Sequence, residues 1–262
     1  MQFRIVVGME TSGMTRRALE ALGHDVISID TLPADDGAEN HIQGDVFKVV
    51  KGLIRSGWVP HAGLFHPTCT YHTVAAAWAF NDPDYDRYPG VGYHQRVQLG
   101  TLVGAARRVA RKEAEYDAER LADFPFFKVI ENPKGTLPTR TSLAEVNDVA
   151  QPYEFGHDAS KATCLWAFHA DGAKLEHFVL RRDPALRVAG RQVPFAKAMG
   201  RARKERDPEF IERWANQTDT GQNNVTPGDD RWKHRSETYP GIGAALAEAI
   251  TEHLLQKLGL AA

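Results

Sequence analysis

A loop with a histidine on either side of a cysteine is the first candidate for chemistry in this chain. It lies in the stretch Leu64-Phe65-His66-Pro67-Thr68-Cys69-Thr70-Tyr71-His72. The apolar run 62–65 predicts a short buried strand, and loops at the carboxyl ends of parallel strands often carry catalytic groups. A thiolate is a strong nucleophile, and a nearby His66 or His72 would lower the pKa of the Cys69 thiol. The pattern therefore predicts a nucleophile at Cys69, with a buried structural thiol as the alternative.

A carboxylate follows a second apolar run. Residues 126–130 predict a buried strand that is followed directly by Glu131, Asn132 and Pro133. Pro133 disfavours helical backbone at Asn132, so this strand is not expected to continue into a helix. Most glutamates are solvated, but one that closes a largely apolar strand is a candidate for function. Two neighbouring strands would thus bring Cys69 and Glu131 to one edge of a sheet.

The first thirty residues predict a strand, a helix and a second strand. The strand over 3–7 leads into the glycine-containing turn Gly8–Gly13, a helix covers about 15–22, and the strand over 26–29 ends on Asp30. Such a unit suits a nucleoside cofactor, because the turn admits backbone contacts and Asp30 can accept bonds from ribose hydroxyls. The phosphate-binding pattern G-x-G-x-x-G is absent, which argues against NAD. A plain structural unit is the alternative.

The rest of the chain predicts further helices, strands and loops. Helices are expected over 46–55 after Gly44-Asp45, over 95–122 as a packed surface helix, and over 242–255 as an amphipathic helix that packs back on the sheet. Residues 163–168 predict a strand, 151–161 a polar loop, and 216–230 a flexible segment. Residues 81–92 are rich in turn formers and form either a lid over the site or an exposed connection.

Basic residues gather between positions 181 and 206. They are Arg181, Arg182, Arg187, Arg191, Lys197, Arg201, Arg203, Lys204 and Arg206. Asp183 and Glu205 are the acids within this segment. A solvated charged face is the usual meaning of such a run. Against a slightly acidic remainder, it is also the best candidate for a surface that contacts phosphates.

Composition narrows the class of protein. A chain of 262 residues suits one sizeable α/β domain, and a net charge of −2 indicates that any basic surface is local. Two cysteines argue against a disulfide framework and for a reducing compartment. The first residues run directly into a strand rather than a signal peptide, and no apolar run approaches the ~20 residues of a membrane span. We expect a cytoplasmic protein.

Taken in chain order, these residues resemble the cytosine-C5 DNA methyltransferase family, in a divergent form like those encoded by bacteriophages. Gly13–Leu19 resembles the glycine-rich first motif, Asp30 stands at the ribose acid, and Gly44-Asp45 resembles the third motif near the adenine. Pro67-Thr68-Cys69 is similar to Pro-Pro-Cys of the nucleophile loop, and Glu131-Asn132-Pro133 to Glu-Asn-Val. Tyr239-Pro240 and Leu246–Ile250 resemble the last motif, whose helix packs beside the first.

Several positions depart from the family pattern. Thr11 and Met14 replace two glycines of the first motif, and Thr68 replaces the second proline of the nucleophile loop. The Gln-x-Arg-x-Arg motif is not visible, with Lys161 or Arg140 as candidates to replace it.

The resemblance implies a fold, a cofactor and a division of the chain. The fold is α/β, with a doubly wound, mostly parallel sheet of the Rossmann-like type found in methyltransferases that use S-adenosylmethionine (SAM). Residues 1–164 would form the SAM-binding catalytic domain, 165–232 a small basic target-recognition segment, and 233–262 a C-terminal helix that packs back on the catalytic domain.

The resemblance also assigns roles to residues. Cys69 and Glu131 would be catalytic. Cofactor binding would involve Gly8, Met9, Glu10, Thr11, Ser12, Gly13, Asp30, Asp45 and His66. Substrate binding would involve Pro67, Thr68, Asn132, Pro133, His157 and Lys161. DNA binding would involve Arg187, Arg191, Lys197, Arg201 and Arg203.

The implied chemistry fits these residue types. A Cys69 thiolate adding at C6 of cytosine makes C5 enamine-like, so C5 can attack an activated methyl group. Glu131 would hold N3 and the exocyclic amine, which stabilises charge on the ring. The acceptor would be double-stranded DNA, with the target base flipped out of the helix. The location would be the host cytoplasm if the chain is encoded by a phage.

Other interpretations stay open at this point. The same fold could modify a free pyrimidine nucleotide or transfer a larger SAM-derived group, or the chain could be a non-catalytic phage protein that binds nucleic acid. His66, Cys69 and His72 could bind zinc, with His157 or Cys164 as a fourth ligand. His157 and Lys161 could simply cap the loop that contains them.

Overall fold

A computed structural model describes residues 1–69, 72, 109–224 and 238–260 of the chain. Within them, strands β1 to β7 form one sheet in the order β3-β2-β1-β4-β5-β7-β6. Their bounds are Arg4–Gly8, Asp25–Asp30, His41–Gln43, Ala62–Phe65, Phe127–Pro133, Asp148–Ala150 and Thr163–Phe168. β1 to β5 run parallel, and β7 runs antiparallel to both of its neighbours. A second sheet pairs β8 (Arg191–Pro194) with β9 (Phe210–Arg213).

Six helices lie in the described ranges. They are α1 (Met14–Ala21), α2 (Val46–Arg55), α3 with its described part at 109–121, α4 (Leu137–Arg140), α5 (Phe195–Met199) and α6 (Pro240–Lys257). Short 3₁₀ turns cover Pro152–Phe155 and Pro184–Leu186. None of these helices is long and apolar enough to cross a membrane.

The central sheet is buried on both faces. The apolar run of β1 alternates between them, so that Ile5 packs with Leu19 of α1 and Leu246 of α6. On the opposite face, Val6 packs with Val50 of α2. Helices therefore cover both sides, which is why parallel strands here are apolar at consecutive positions rather than at alternate ones. The predicted α/β fold with a doubly wound, mostly parallel sheet is confirmed.

β5 is longer than its apolar run. Glu131, Asn132 and Pro133, expected to follow the strand, belong to it because they pair with Leu165, Cys164 and Thr163 of β7. Pro133 is the last residue of the strand, a position that tolerates a missing backbone donor. The predicted boundary between residues 164 and 165 falls inside β7. The lid or connection expected over 81–92 lies outside the described residues.

The C-terminal helix returns to the first helix. Gly243 of α6 faces Met14 and Thr15, where an added Cβ would lie 3.7 Å from Met14 Cγ. The polar loop over 151–161 begins with a 3₁₀ turn whose N-terminal end is fixed by a reciprocal capping pair of Gln151 and Glu154. Residues 216–224, the described half of the segment expected to be flexible, close through a bridge between Gln217 and Asn223.

Candidate functional site

A cavity of about 430 Å³ lies at the carboxyl ends of β1, β2, β4 and β5. Twelve of the residues assigned from the sequence line it: Met9, Glu10, Thr11, Ser12, Asp30, Asp45, His66, Pro67, Thr68, Cys69, Glu131 and Pro133. Gly44, which belongs to the Gly44-Asp45 pair noted in the sequence, lines it as well. Further lining residues, which the sequence did not single out, are Thr31, Leu32, Asp35, Val46, Phe47, Asp117 and Thr238. Cys69 and Glu131 thus share one cavity with Asp30, as expected for parallel strands that end at one edge.

The turn after β1 is shaped by two residues with left-handed backbone. Met9 has φ 64° and its amide donates to the Ile29 carbonyl at 2.7 Å, and Gly13 has φ 65° at the start of α1. The positive φ favours glycine here, and a Cβ on Gly13 would also lie 2.6 Å from the Asp36 carboxylate, whose side chain would have to shift. Gly13 does not line the cavity; its role in the structure is to let the helix start there.

The buried carboxylate of Glu10 caps α1. It accepts bonds from the Met14 amide at 2.9 Å and the Thr15 hydroxyl at 3.2 Å, and from the Ser12 hydroxyl. A helix N-terminus usually offers these donors to an anion of the ligand. Here the protein supplies the negative charge itself. The adjacent cavity wall therefore favours a cationic group.

Acidic side chains continue along the side of the cavity formed by the ends of β2 and β3. Asp30 accepts the Leu32 amide at 2.9 Å, and Asp45 caps α2 by accepting the Lys48 amide at 2.9 Å. Asp35 was not found from the sequence. The Thr11 hydroxyl donates to the Asp35 carboxylate at 3.0 Å, and the Asp35 amide donates to the Thr11 carbonyl at 2.9 Å. These bonds connect the loop after β2 to the turn after β1. Asp35 lies in a loop and is not preceded by an apolar run, so the sequence gives no signal for its contact with Thr11.

His66 and Glu131 form a buried ion pair in the cavity wall. Nδ1 of His66 lies 2.8 Å from Oε2 of Glu131, and their side chains are 10% and 7% exposed. Burial alone lowers the pKa of His66, but the hydrogen bond and charge of Glu131, with the charge of Glu10, outweigh it and raise that pKa. Burial alone raises the pKa of Glu131, but the hydrogen bond and charge of His66, with the charge of Lys161, bring it below its usual value.

Asn132 holds the loop that carries Cys69. Its side-chain amide donates to the Pro67 carbonyl at 2.7 Å, and the residue is 1% exposed. Asn132 is therefore a support behind the cavity, and its Oδ1 has no hydrogen-bond partner among the described residues. Gly8, assigned to the cofactor, likewise lies behind the cavity, since a Cβ there would be 2.5 Å from the Phe65 ring.

His72 faces away from the cavity. Its Nδ1 lies 3.1 Å from the Thr136 hydroxyl and its Nε2 lies 3.3 Å from the Arg111 carbonyl. Burial lowers its pKa, so it does not provide the positive charge expected beside Cys69. In the described part of the chain no group of three His, Cys, Asp or Glu side chains could hold a metal ion. The zinc alternative therefore gains no support.

The two cysteines lie in contrasting environments. Cys69 is half-buried in the cavity wall, whereas Cys164 is buried in β7. Burial raises the pKa of the Cys164 thiol to about 11, which makes it a poor nucleophile. The distinction supports Cys69 as the reactive thiol.

His157 and Lys161, which both belong to the polar loop over 151–161, lie in different surroundings. His157 Nε2 accepts the Gly241 amide at 3.0 Å at the start of α6, and burial lowers the pKa of His157. This contact caps a helix outside the cavity, so the structure does not bring His157 to the substrate side. Lys161 lies close enough to Glu131 for its charge to lower the pKa of that acid.

Four of the five basic residues assigned to DNA are paired with acidic side chains. Arg187 lies 3.2 Å from Glu212, Lys197 lies 2.6 Å from Asp219, which also pairs with Arg191, and Arg201 lies 2.8 Å from Asp207. Arg203 donates to the Asp207 carbonyl at 3.0 Å. These acids follow the basic run in sequence, so counting charges over 181–206 misses them. The surface is less positive than that count suggests.

Comparisons with known proteins add little to this geometry. No family model and no curated protein matches the chain. Among solved structures, the chain is similar to the crystal structure of a triple mutant of Spodoptera frugiperda DNMT2, with 12% identity and a TM-score of 0.34. The match covers 64% of this chain and 50% of that chain, so this chain spans about half the length of that protein. Because both scores are low, the likeness identifies no activity.

Proposed function

We propose that this chain is a SAM-dependent methyltransferase that transfers a methyl group to C5 of cytosine in DNA. The observation that carries the proposal is one cavity lined by both halves of such a site. Asp30 and Asp45 reach it from the β2 and β3 side of β1, and Cys69 and Glu131 from the β4 and β5 side. A nucleoside donor and a pyrimidine acceptor would meet over the end of β1.

The residues on the Asp30 side fit SAM. The Asp30 carboxylate would accept bonds from the ribose hydroxyls, and Asp45 would lie near the adenine. Glu10 and Asp35 add negative charge to the same cavity. Opposite charges attract strongly where water is excluded, so these acids favour a donor with a positively charged sulfonium and amine. When bound, SAM would supply an activated methyl group.

Cys69 and Glu131 would do the covalent and electrostatic work. The Cys69 sulfur bonds to C6 of the pyrimidine, and the electron density that moves into the ring makes C5 nucleophilic. Glu131 accepts a hydrogen bond from the exocyclic amine and, when it carries a proton, donates one to N3, where charge accumulates. Asn132 holds the loop of Cys69 through Pro67, which fixes the sulfur relative to the neighbouring acid. After methyl transfer, loss of the C5 proton expels the sulfur.

The acceptor would be a cytosine flipped out of double-stranded DNA, with residues 165–232 as the recognition segment. Stacking of Tyr153 on Trp214, with ring centroids 4.0 Å apart, fixes that segment to the loop after β6. A free pyrimidine nucleotide is the second candidate, and the acid partners of the basic residues favour it. A larger transferred group and a non-catalytic DNA-binding phage protein are the further alternatives.

Labelled donor distinguishes these acceptors. The protein is incubated with SAM tritiated in the methyl group and, separately, with double-stranded DNA, dCMP and dCTP. Label on DNA is the expected result, and label on a nucleotide alone would replace DNA by the second candidate. DNA retention without label on any acceptor would contradict the methyltransferase and favour a binding protein.

A further inference from the structure

The contact between His66 and Glu131 leaves one buried atom unused. Nδ1 of His66 bonds to Glu131 at 2.8 Å, while Nε2 is buried and has no hydrogen-bond partner among the described residues. Nearly all buried polar atoms have a partner, so an orphan in a cavity wall calls for a reason. The backbone of His66 is held without the help of its imidazole, because its amide donates a hydrogen bond to the Gly8 carbonyl at 3.0 Å.

The surroundings favour a proton on His66. The hydrogen bond and charge of Glu131, with the charge of Glu10, raise its pKa, although burial and the charge of Lys161 oppose them. The same pairing keeps Glu131 ionised, since the pKa of that carboxyl is lowered. Within the pair, the proton is therefore favoured on the imidazole over the carboxylate, one hydrogen bond behind the acid.

The proposed reaction needs a proton at the place where Glu131 has none. When the Cys69 sulfur bonds to C6, the C5–C6 π pair shifts and a lone pair with negative charge develops on N3. An ionised carboxylate cannot donate to N3. A proton held on the group directly behind that carboxylate can pass through it.

We propose that His66 is a positioning residue that supplies this proton, an inference that rests on the proposed function. As the C6–S bond forms, a proton moves from Nδ1 of His66 to Glu131, and one moves from Glu131 to N3. Once C5 has used its electron pair in the bond to the transferred methyl group, N3 returns the proton through Glu131 to His66. No proton is consumed along this path; the C5 proton passes separately to water as the C6–S bond breaks and the sulfur leaves as a thiolate.

The pH dependence of turnover with His66→Asn tests the path. The asparagine amide places a donor near the position of Nδ1 and can bond Glu131, but it does not titrate or release a proton. The variant is expected to lose about 100-fold in kcat at pH 8, the scale of acid catalysis. The rate of the variant should begin to fall already at acidic pH and continue to fall as pH rises. The wild-type rate should stay level through neutral pH and fall only at higher pH. A wild-type profile in the variant would overturn the inference.

A neighbouring histidine and a direct titration complete the experiment. His72 lies in the same loop, but its imidazole contacts Thr136 rather than Glu131. The pH profile of His72→Asn should therefore have the same shape as that of the wild type. Nitrogen NMR should find His66 protonated at pH 7.5 in the wild type and neutral in Glu131→Gln. A neutral His66 in the wild type would overturn the inference without any reference to activity.

Covalent trapping distinguishes a failure of the proposed methyltransferase function from a failure of the proposed role of His66. Wild-type protein that forms no adduct with 5-fluorocytosine, in DNA or as a nucleotide, would contradict the proposed function and this inference with it. Trapping by the wild type, combined with an unchanged pH profile in His66→Asn, would remove only the role of His66.

Discussion

Asn132 connects the two strands that carry the candidate catalytic groups. It follows Glu131 in β5, and its side chain donates to the Pro67 carbonyl two residues before Cys69. The bond is buried, so neither partner can turn to water if the other is removed. One side chain therefore sets the position of the thiol loop relative to the acid.

Asn132→Ala should destabilise the protein. Leaving the Pro67 carbonyl unpaired in the interior is expected to cost about 1–3 kcal/mol in the free energy of unfolding. Urea denaturation followed by circular dichroism measures this change. Thr139→Ala is the matched control, because Thr139 donates to the Thr136 carbonyl at an exposed site and should change stability by less than about 0.5 kcal/mol. Equal effects of the two variants would contradict the supporting role of Asn132.

The sequence predicted the residues of this site better than their contacts. Cys69 and Glu131 each follow an apolar run, and that pattern is enough to place both at the sheet edge. The partner of Glu131 is His66, 65 residues away, and the residue pattern assigned His66 to the cofactor or the thiol instead. Strand order settles which ends are neighbours, but it does not settle which way a side chain turns.

At the scale of elements, local signals set some bounds and distant pairing sets others. α2 and β4 have the predicted bounds. Asp45 caps the start of the helix, and the strand coincides with an apolar run that His66 and Pro67 follow. β5 extends three residues beyond its apolar run, because β7 pairs with it over that length. The sequence of β5 contains no signal for a partner that comes thirty residues later.

The packing of α6 makes stability depend on pH. His253 of α6 stacks on Phe127 of β5, with ring centroids 4.0 Å apart. Burial, followed by the charges of Lys257 and His169, lowers its pKa to about 4. Between pH 4 and the unfolded value of about 6.5, the unfolded chain binds a proton that the native chain does not. Stability attributable to His253 is therefore lost as pH falls through this window.

His253→Phe should weaken that acid sensitivity. Phenylalanine keeps the stacking on Phe127 and removes the titrating group, so the fall in unfolding free energy between pH 7.5 and pH 5 should become smaller. Urea denaturation at the two pH values gives the difference. His177→Phe, at an exposed position, should leave the pH dependence unchanged. An acid dependence equal to the wild type in His253→Phe would show that other groups cause it.

At the scale of the whole molecule, the charge distribution decides the choice of acceptor. The net charge is −2, and three basic residues of the proposed recognition segment, Arg187, Lys197 and Arg201, pair with Glu212, Asp219 and Asp207. Binding to DNA would require some of these ion pairs to open toward phosphates. Exposed pairs contribute little to stability, so exchanging partners is inexpensive.

Replacing Arg191 and Lys197 together by glutamine should weaken DNA binding. If both contact phosphates, the slope of log affinity against log salt should decrease by about 2. Fluorescence anisotropy with duplex DNA at several salt concentrations measures it. Lys48→Gln combined with Lys51→Gln, on α2, should leave the slope unchanged. An unchanged slope in Arg191→Gln with Lys197→Gln would remove these two residues from the DNA surface and favour the free nucleotide.

The most direct measurement is the mass of the adduct formed with 5-fluorocytosine. Fluorine at C5 cannot leave as a proton does, so a protein that adds a thiolate at C6 and transfers a methyl group stays bonded to the base. The wild type and Cys164→Ser, incubated with SAM and the fluorinated acceptor, are expected to form an adduct that maps to Cys69, and Cys69→Ser none. A wild-type protein that labels cytosine without an adduct, or an adduct on another residue, would contradict the account.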